Sequence, residues 1–159
     1  MRRTLAVALA AVALAGCAGG NAMRTSANTV MVQASAAPVC GPEGAARVAA
    51  QTAAIETIRS GYTRYVINGG DAQNNVRAYA LPGQTYHQGN VRVAGAHGFY
   101  SGTSTYVPGP VIVAGRHNQN LYVTMFRPGD PGYENALDAR STLGPEWQER
   151  VRNGVRTCA

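Results

Sequence analysis

The sequence predicts an α+β domain with an N-terminal helix, an antiparallel sheet carrying long polar loops, and two short C-terminal helices. Three observations predict it. An alanine-rich stretch bounded by helix-start and helix-stop signals follows Cys40. The middle of the chain, from Tyr62 to Phe126, is rich in aromatic and β-branched residues broken by Gly, Asn and Pro. Two short helical patterns then close the chain. Strands grouped between helices, rather than alternating with them, favour segregated α+β layers over a parallel βαβ sheet.

Taken in order, residues 17–39 are mostly Gly, Ala, Asn, Ser and Thr, with a short apolar patch at Val30-Met31-Val32. This composition buries little and is read as a flexible tether with a root-mean-square span of roughly 25 Å. The competing reading adds Thr29 to Gln33 to the sheet as a strand. Pro42 then opens a helix with Glu43 in its first turn, where a carboxylate favours the helix dipole. Its small residues, from Ala46 to Ala54, suit close packing. Val48, Ile55 and Ile58 are its larger apolar positions, and Gly61 is placed to stop it.

Tyr62 to Asn68 reads as a strand, and Asn68-Gly69-Gly70-Asp71 as the turn that ends it. Short strands are expected at Val76 to Leu81, Val91 to Ala94 and Gly98 to Val107. Pro110 to Ala114 and Leu121 to Phe126 read as a β-hairpin joined by the polar residues 115–120. Strand alternation puts Leu121, Val123 and Met125 on one face. Asp130-Pro131 reads as a capped helix start, and Pro145 to Asn153 as a second short helix that Gly154 ends and that Trp147 and Val151 anchor.

The first residues say where the protein works. Arg2 and Arg3 precede an apolar run from Leu5 to Leu14, too short for a bilayer span of about 20 residues, and small residues follow. This order is a secretory signal, and Leu14-Ala15-Gly16-Cys17 resembles the cleavage site of bacterial lipoprotein precursors. The resemblance implies a signal peptide over 1–16, diacylglyceryl transfer to Cys17, cleavage before it, and acylation of the new amino terminus. Ala18 is not the aspartate that resembles an inner-membrane retention signal, so the periplasmic face of the outer membrane is expected before the inner membrane. Membrane lipid is then the partner of Cys17, and an envelope protein or peptidoglycan that of the domain.

All fourteen basic residues are arginine. Two readings stand, selective recognition of anions by guanidinium forks or codon bias in a GC-rich genome. The arginines are scattered rather than striped, and loss of Arg2 and Arg3 lowers the formal charge from +6 to +4. Nucleic acid is therefore not an expected partner. With Cys17 lipidated, Cys40 and Cys158 remain as an even pair in an oxidising compartment. Bridged, they would close residues 40–159 as a single domain. The alternatives are two free thiols or a shared metal, and no histidine stands at ligand spacing near either.

No catalytic constellation is legible, and no cofactor or metal motif. His87, His97 and His117 match no compact ligand spacing. Asp130, Glu134 and Asp138 recur every four residues, which suits either acid–base work on one helical face or a cap followed by a solvated face. Gly102-Thr103-Ser104-Thr105-Tyr106 lacks the last glycine of a hydrolase elbow. Tyr79, Tyr86, Tyr100 and Tyr106 suit a sugar or protein platform, or ordinary strand packing. The expectation is a membrane-anchored envelope lipoprotein with a non-enzymatic binding or structural domain. Its competitor is a small-molecule or metal-binding enzyme or binding protein with a pocket within residues 72–120, where His97 and His117 would meet an acid. Intact mass after alkylation of the unfolded, unreduced protein should find no free thiol at Cys40 or Cys158; modification of both would remove the bridge.

Overall fold

The computed structural model describes residues 17–158. The signal-peptide expectation for 1–16 lies outside them. The described chain forms two compact units, one of residues 17–76 and 115–158, the other Arg77–Ala114. The single domain expected over 40–159 is thus divided, and the first unit also takes in residues N-terminal to Cys40.

The first unit is built on a five-stranded sheet of order β1-β2-β8-β3-β9. Its strands are β1 (Ala18–Arg24), β2 (Thr29–Ala36), β3 (Arg64–Asn74), β8 (His117–Phe126) and the short β9 (Leu137–Asp138). All its pairings are antiparallel. The tether expected over 17–39 is overturned: residues 18–36 make two of the strands. Val30, Val32, Ala34 and Ala36 are buried on one face of β2, while Gln33 between them is exposed. Period-2 burial of small side chains makes this a strand although Ala and Ser are weak β-formers. The competing strand reading for Thr29 to Gln33 is the correct one, and the strand is longer.

Helix α1 (Gly41–Arg59) carries Pro42 at its start and Glu43 in its first turn. It ends at Ser60, followed by Gly61 at φ +79, a left-handed position suited to glycine. Its buried positions, among them Ala45, Val48, Ala49, Ala53 and Ile55, spread over most of the helix circumference. It packs on β1, β2, β8 and β3 and also meets the C-terminal helices α2 (Ala139–Leu143) and α3 (Trp147–Asn153). Leu121, Val123 and Met125 of β8 face this core, as alternation predicts. Trp147 and Val151 pack against it, half-buried. Buried Thr57 is satisfied by donating from Oγ1 to the Ala53 carbonyl at 2.8 Å.

The Cys40–Cys158 disulfide joins residues 118 apart, with Cα atoms 5.8 Å apart. Closing so long a loop stabilises by about 5 kcal/mol on the chain-entropy account. Gly44 makes the approach: a Cβ there would lie 2.8 Å from Cys40 Cβ and 3.1 Å from Cys158 Cβ. Arginines contribute to packing as well as charge. Arg64, Arg127 and Arg140 stack on Tyr133, Tyr62 and Trp147 at 4.4, 4.5 and 4.5 Å.

Three further expectations are corrected. Asn68-Gly69-Gly70-Asp71 is not a turn; β3 runs through it with a register shift between Ile67 and Gly69. Pro110 to Ala114 and Leu121 to Phe126 are not partners, for β7 (Val111–Ala114) pairs with β4 (Arg77–Ala80), and β8 with β2 and β3. Asp130 does not start a helix: its carboxylate accepts the Arg127 N–H at 2.7 Å within a turn. The cap is Asp138, whose Oδ1 accepts the Ser141 N–H at 2.7 Å ahead of α2.

The second unit is an antiparallel ribbon. Strand β4 pairs with β7, and β5 (Gln84–Ala94) pairs with β6 (His97–Val107) in unbroken register. Every strand residue in it is exposed. The short strands expected here are present, and β5 is longer than Val91 to Ala94.

Tyr65 is 1% exposed and donates from Oη to Thr142 Oγ1 at 3.2 Å. Burial raises its phenol pKa, and the hydrogen bond opposes the shift. The folded state therefore favours the neutral phenol. That stabilisation is complete below the unfolded-state value near 10 and falls as pH rises through the folded-state value. Urea unfolding should show Tyr65→Phe losing less stability than wild type between about pH 9 and about pH 11; equal losses would remove Tyr65 as the source of the pH dependence.

Candidate functional site

The sheet of the first unit has one face on α1 and one face that no other element of that unit covers, among the described residues. Alternation sends Gly19, Asn21 and Met23 of β1 to this open face, with Met31, Gln33 and Ser35 of β2 and Asn118, Asn120 and Tyr122 of β8. The β3 shift decides what the fourth strand contributes. Tyr65 pairs with Met125 on the core side, yet Gly69, Asp71 and Gln73 pair with Tyr122, Asn120 and Asn118 on the open side. The extra residue, Asn68, reverses the parity of β3, and its Nδ2 donates to Thr124 Oγ1 at 2.7 Å.

Three rows result, each crossing four strands in register. The first is Gly19, Ser35, Asn118 and Gln73; the second Asn21, Gln33, Asn120 and Asp71. The third, Met23, Met31, Tyr122 and Gly69, is largely apolar. At strand spacing each row spans about 14 Å, and rows lie about 7 Å apart. A shallow depression of about 670 Å³ sits over the first two rows, lined by Asn21, Gln33, Ser35, Gln73, Asn118 and Asn120 together with neighbouring Gly19, Gly20 and Ala34. Arg116 donates from Nη1 to Ser35 Oγ at 3.1 Å at one end. Amide and hydroxyl groups donate and accept hydrogen bonds without titrating near neutrality. Such a lining can hold an uncharged polar ligand.

Cys17 lies directly before β1, half-buried and outside any disulfide. Its carbonyl accepts the Ala37 N–H at 2.7 Å, and Cys40 Sγ lies 3.8 Å from the same oxygen. Cys40 and Cys158 are joined as expected. Asp130, Glu134 and Asp138 share no helical face: they fall in a turn, a 3-10 segment and β9. Glu134 lies 3.5 Å from the Arg64 guanidinium. His87 and His97 are exposed in the ribbon, where His87 Nδ1 and Ser104 Oγ lie 2.7 Å apart across β5 and β6. His117 is in the first unit, buried at the start of β8, and its Nδ1 has no hydrogen-bond partner among the described residues.

Within the ribbon a shallow hollow of about 450 Å³ is lined by Gln88, Gly89, Asn90, Ser101, Gly102 and Thr103, none of them titratable. Neither the depression on the sheet nor the hollow in the ribbon is lined by a histidine. Among the described residues no three His, Cys, Asp or Glu side chains converge as a metal site would require. The amide rows are not legible in the sequence because their members lie in four strands and one strand changes parity midway. The usable signal was the Asn118-Gln119-Asn120 run directly ahead of an apolar strand.

The fold and this face define an α+β protein with an exposed, amide-bearing sheet. Comparison with known proteins gives no match to any family model, curated protein or solved structure.

Proposed function

We propose that the protein is a lipid-anchored lipoprotein of the bacterial envelope, held by acylated Cys17. Its sheet face binds an uncharged, hydroxyl- and amide-rich polymer, the glycan strands of the cell wall. The amide rows beside Tyr122 carry this reading. Rows of Asn and Gln match alternating hydroxyl and acetamido groups, while Tyr122 and the methionines offer an apolar strip for sugar C–H faces. The side chains that line the depression are mainly amides with one hydroxyl, which suits the binding of an uncharged polar ligand. The Cys40–Cys158 bridge suits an oxidising compartment. With β1 starting at Ala18, acyl chains on Cys17 would hold the sheet within a few residues of the lipid surface. Two or three such chains, at about 0.8 kcal/mol per buried methylene, suffice for a stable anchor.

Metabolic labelling with a clickable fatty acid should mark the wild-type protein and leave Cys17→Ala unmarked; a labelled Cys17→Ala protein would overturn the anchor. Wild-type protein should co-sediment with purified cell-wall sacculi. The double variant Gln33→Ala, Asn120→Ala, which loses two hydrogen-bonding groups at about 1 kcal/mol each, should bind at least about tenfold more weakly. Equal binding by the variant, or none by wild type, would overturn the assignment of this face.

A further inference from the structure

The ribbon Arg77–Ala114 has a composition and a point of attachment that the amide face does not explain. A two-stranded ribbon is marginal in water by itself, yet this one leaves its large apolar side chains exposed: Val91, Val93, Phe99 and Tyr100 near the tip are 66, 75, 66 and 62% exposed. Exposed apolar surface on this scale marks an interaction site. Val91, Val93 and Tyr100 share one face of the β5–β6 ribbon, and Phe99 lies on the other with Arg92, Ala94 and His97. With Val91 and Val93 on one face and the Phe99 ring beside Arg92 on the other, the tip suits a lipid headgroup layer better than docking against a single protein surface.

Charge points the same way. Residues 77–114 contain Arg77 and Arg92 and no aspartate or glutamate. The segment is therefore cationic and aromatic, as are elements that settle among anionic headgroups. Attachment supplies the third observation. In the first unit Ala18, Ala36, His117 and Asn74 form one row across the sheet. Cys17 precedes that row, and the chain leaves and re-enters the unit just beyond it, where the Asn75 N–H donates to the Arg116 carbonyl at 3.0 Å. Cys17 and the two points where the chain leaves and re-enters the unit thus belong to the same end of the sheet, the two points about 14 and about 10 Å from β1 across its strands.

We propose that the tip of the ribbon, centred on Val93 and Phe99, inserts into the headgroup region of the anionic phospholipid leaflet that holds Cys17. This contact rests on the anchor proposed above. The ribbon lies in the interface and does not span the bilayer, because both outer edges of a two-stranded ribbon present unpaired N–H and C=O groups that hydrocarbon cannot satisfy. Arg92 is placed beside the tip to meet lipid phosphate.

The test uses the protein as purified from cells, carrying Phe99→Trp, with the emission of Trp147 subtracted using the parent chain. Vesicles of phosphatidylethanolamine and phosphatidylglycerol carry brominated acyl chains. The introduced indole should shift to the blue and lose about half its emission, as expected for a residue at the headgroup–acyl boundary. Adding Val93→Asp should restore both. Emission unchanged by vesicles would overturn the proposal. So would a blue shift that needs no vesicles and grows with protein concentration, since a second copy would then occupy the tip. The fatty-acid label at Cys17 is read separately: labelled protein with an unquenched tip removes the ribbon contact alone, and quenched but unlabelled protein removes the anchor alone.

Discussion

Close approach between α1 and the sheet sets the geometry of the first unit. Ala45, Ala49 and Ala53 on the helix, and Ala34 and Ala36 on β2, are all buried, so little side chain separates the two backbones. At Gly20 a Cβ would collide with the Thr52 side chain, and at Gly44 with Cys40. Larger side chains at these places would push the layers apart and open voids around Val32 and Val123, which are fully buried. The long-range disulfide ties the helix start to the end of the chain. Wide burial around α1 follows, since the C-terminal helices pack against it as well as the sheet.

With one face of the sheet given to α1, the other is available for recognition, and its chemistry depends on a single inserted residue. Had β3 kept its parity through Asn68, Asp71 and Gln73 would have met the helix layer, and two rows would have lost a member. The bulge thus assembles the polar face as well as bending the strand. The same pleat puts β8 to work on both sides, with Leu121, Val123 and Met125 in the core and Asn118, Asn120 and Tyr122 outside. Binding surface and core are in this sense one pattern, and a register slip in β8 would spoil both.

The ribbon follows other rules. It has no buried strand residue, so its order depends on cross-strand pairing and on rings lying along the strands. Gly89 and Gly102 face each other, and the Tyr100 hydroxyl lies 2.7 Å from where a Gly89 Cβ would be, so the glycine pair makes room for the ring. The tyrosines that suit a binding platform in sequence are in part devoted to shielding their own ribbon.

Much of the molecule was determined locally, and those parts are legible in the sequence. The limits of α1, the alternation in β8, the stop at Gly154 and the oxidised cysteine pair depend on short-range geometry, capping chemistry and parity, which adjacent residues carry. The tertiary structure decided the remainder. Residues 18–36 resemble a tether until β8 offers them a partner; then period-2 burial outweighs the weak strand preference of Ala, Ser and Gly. Asn68-Gly69-Gly70-Asp71 has turn chemistry but is held extended by pairing with residues about fifty positions later. Whether Val111–Ala114 pairs with Leu121–Phe126 or with Arg77–Ala80 is likewise a choice among non-local partners, which local propensity cannot make. The amide face belongs to this second class: its residues become a site only when four strands from distant parts of the chain are set side by side.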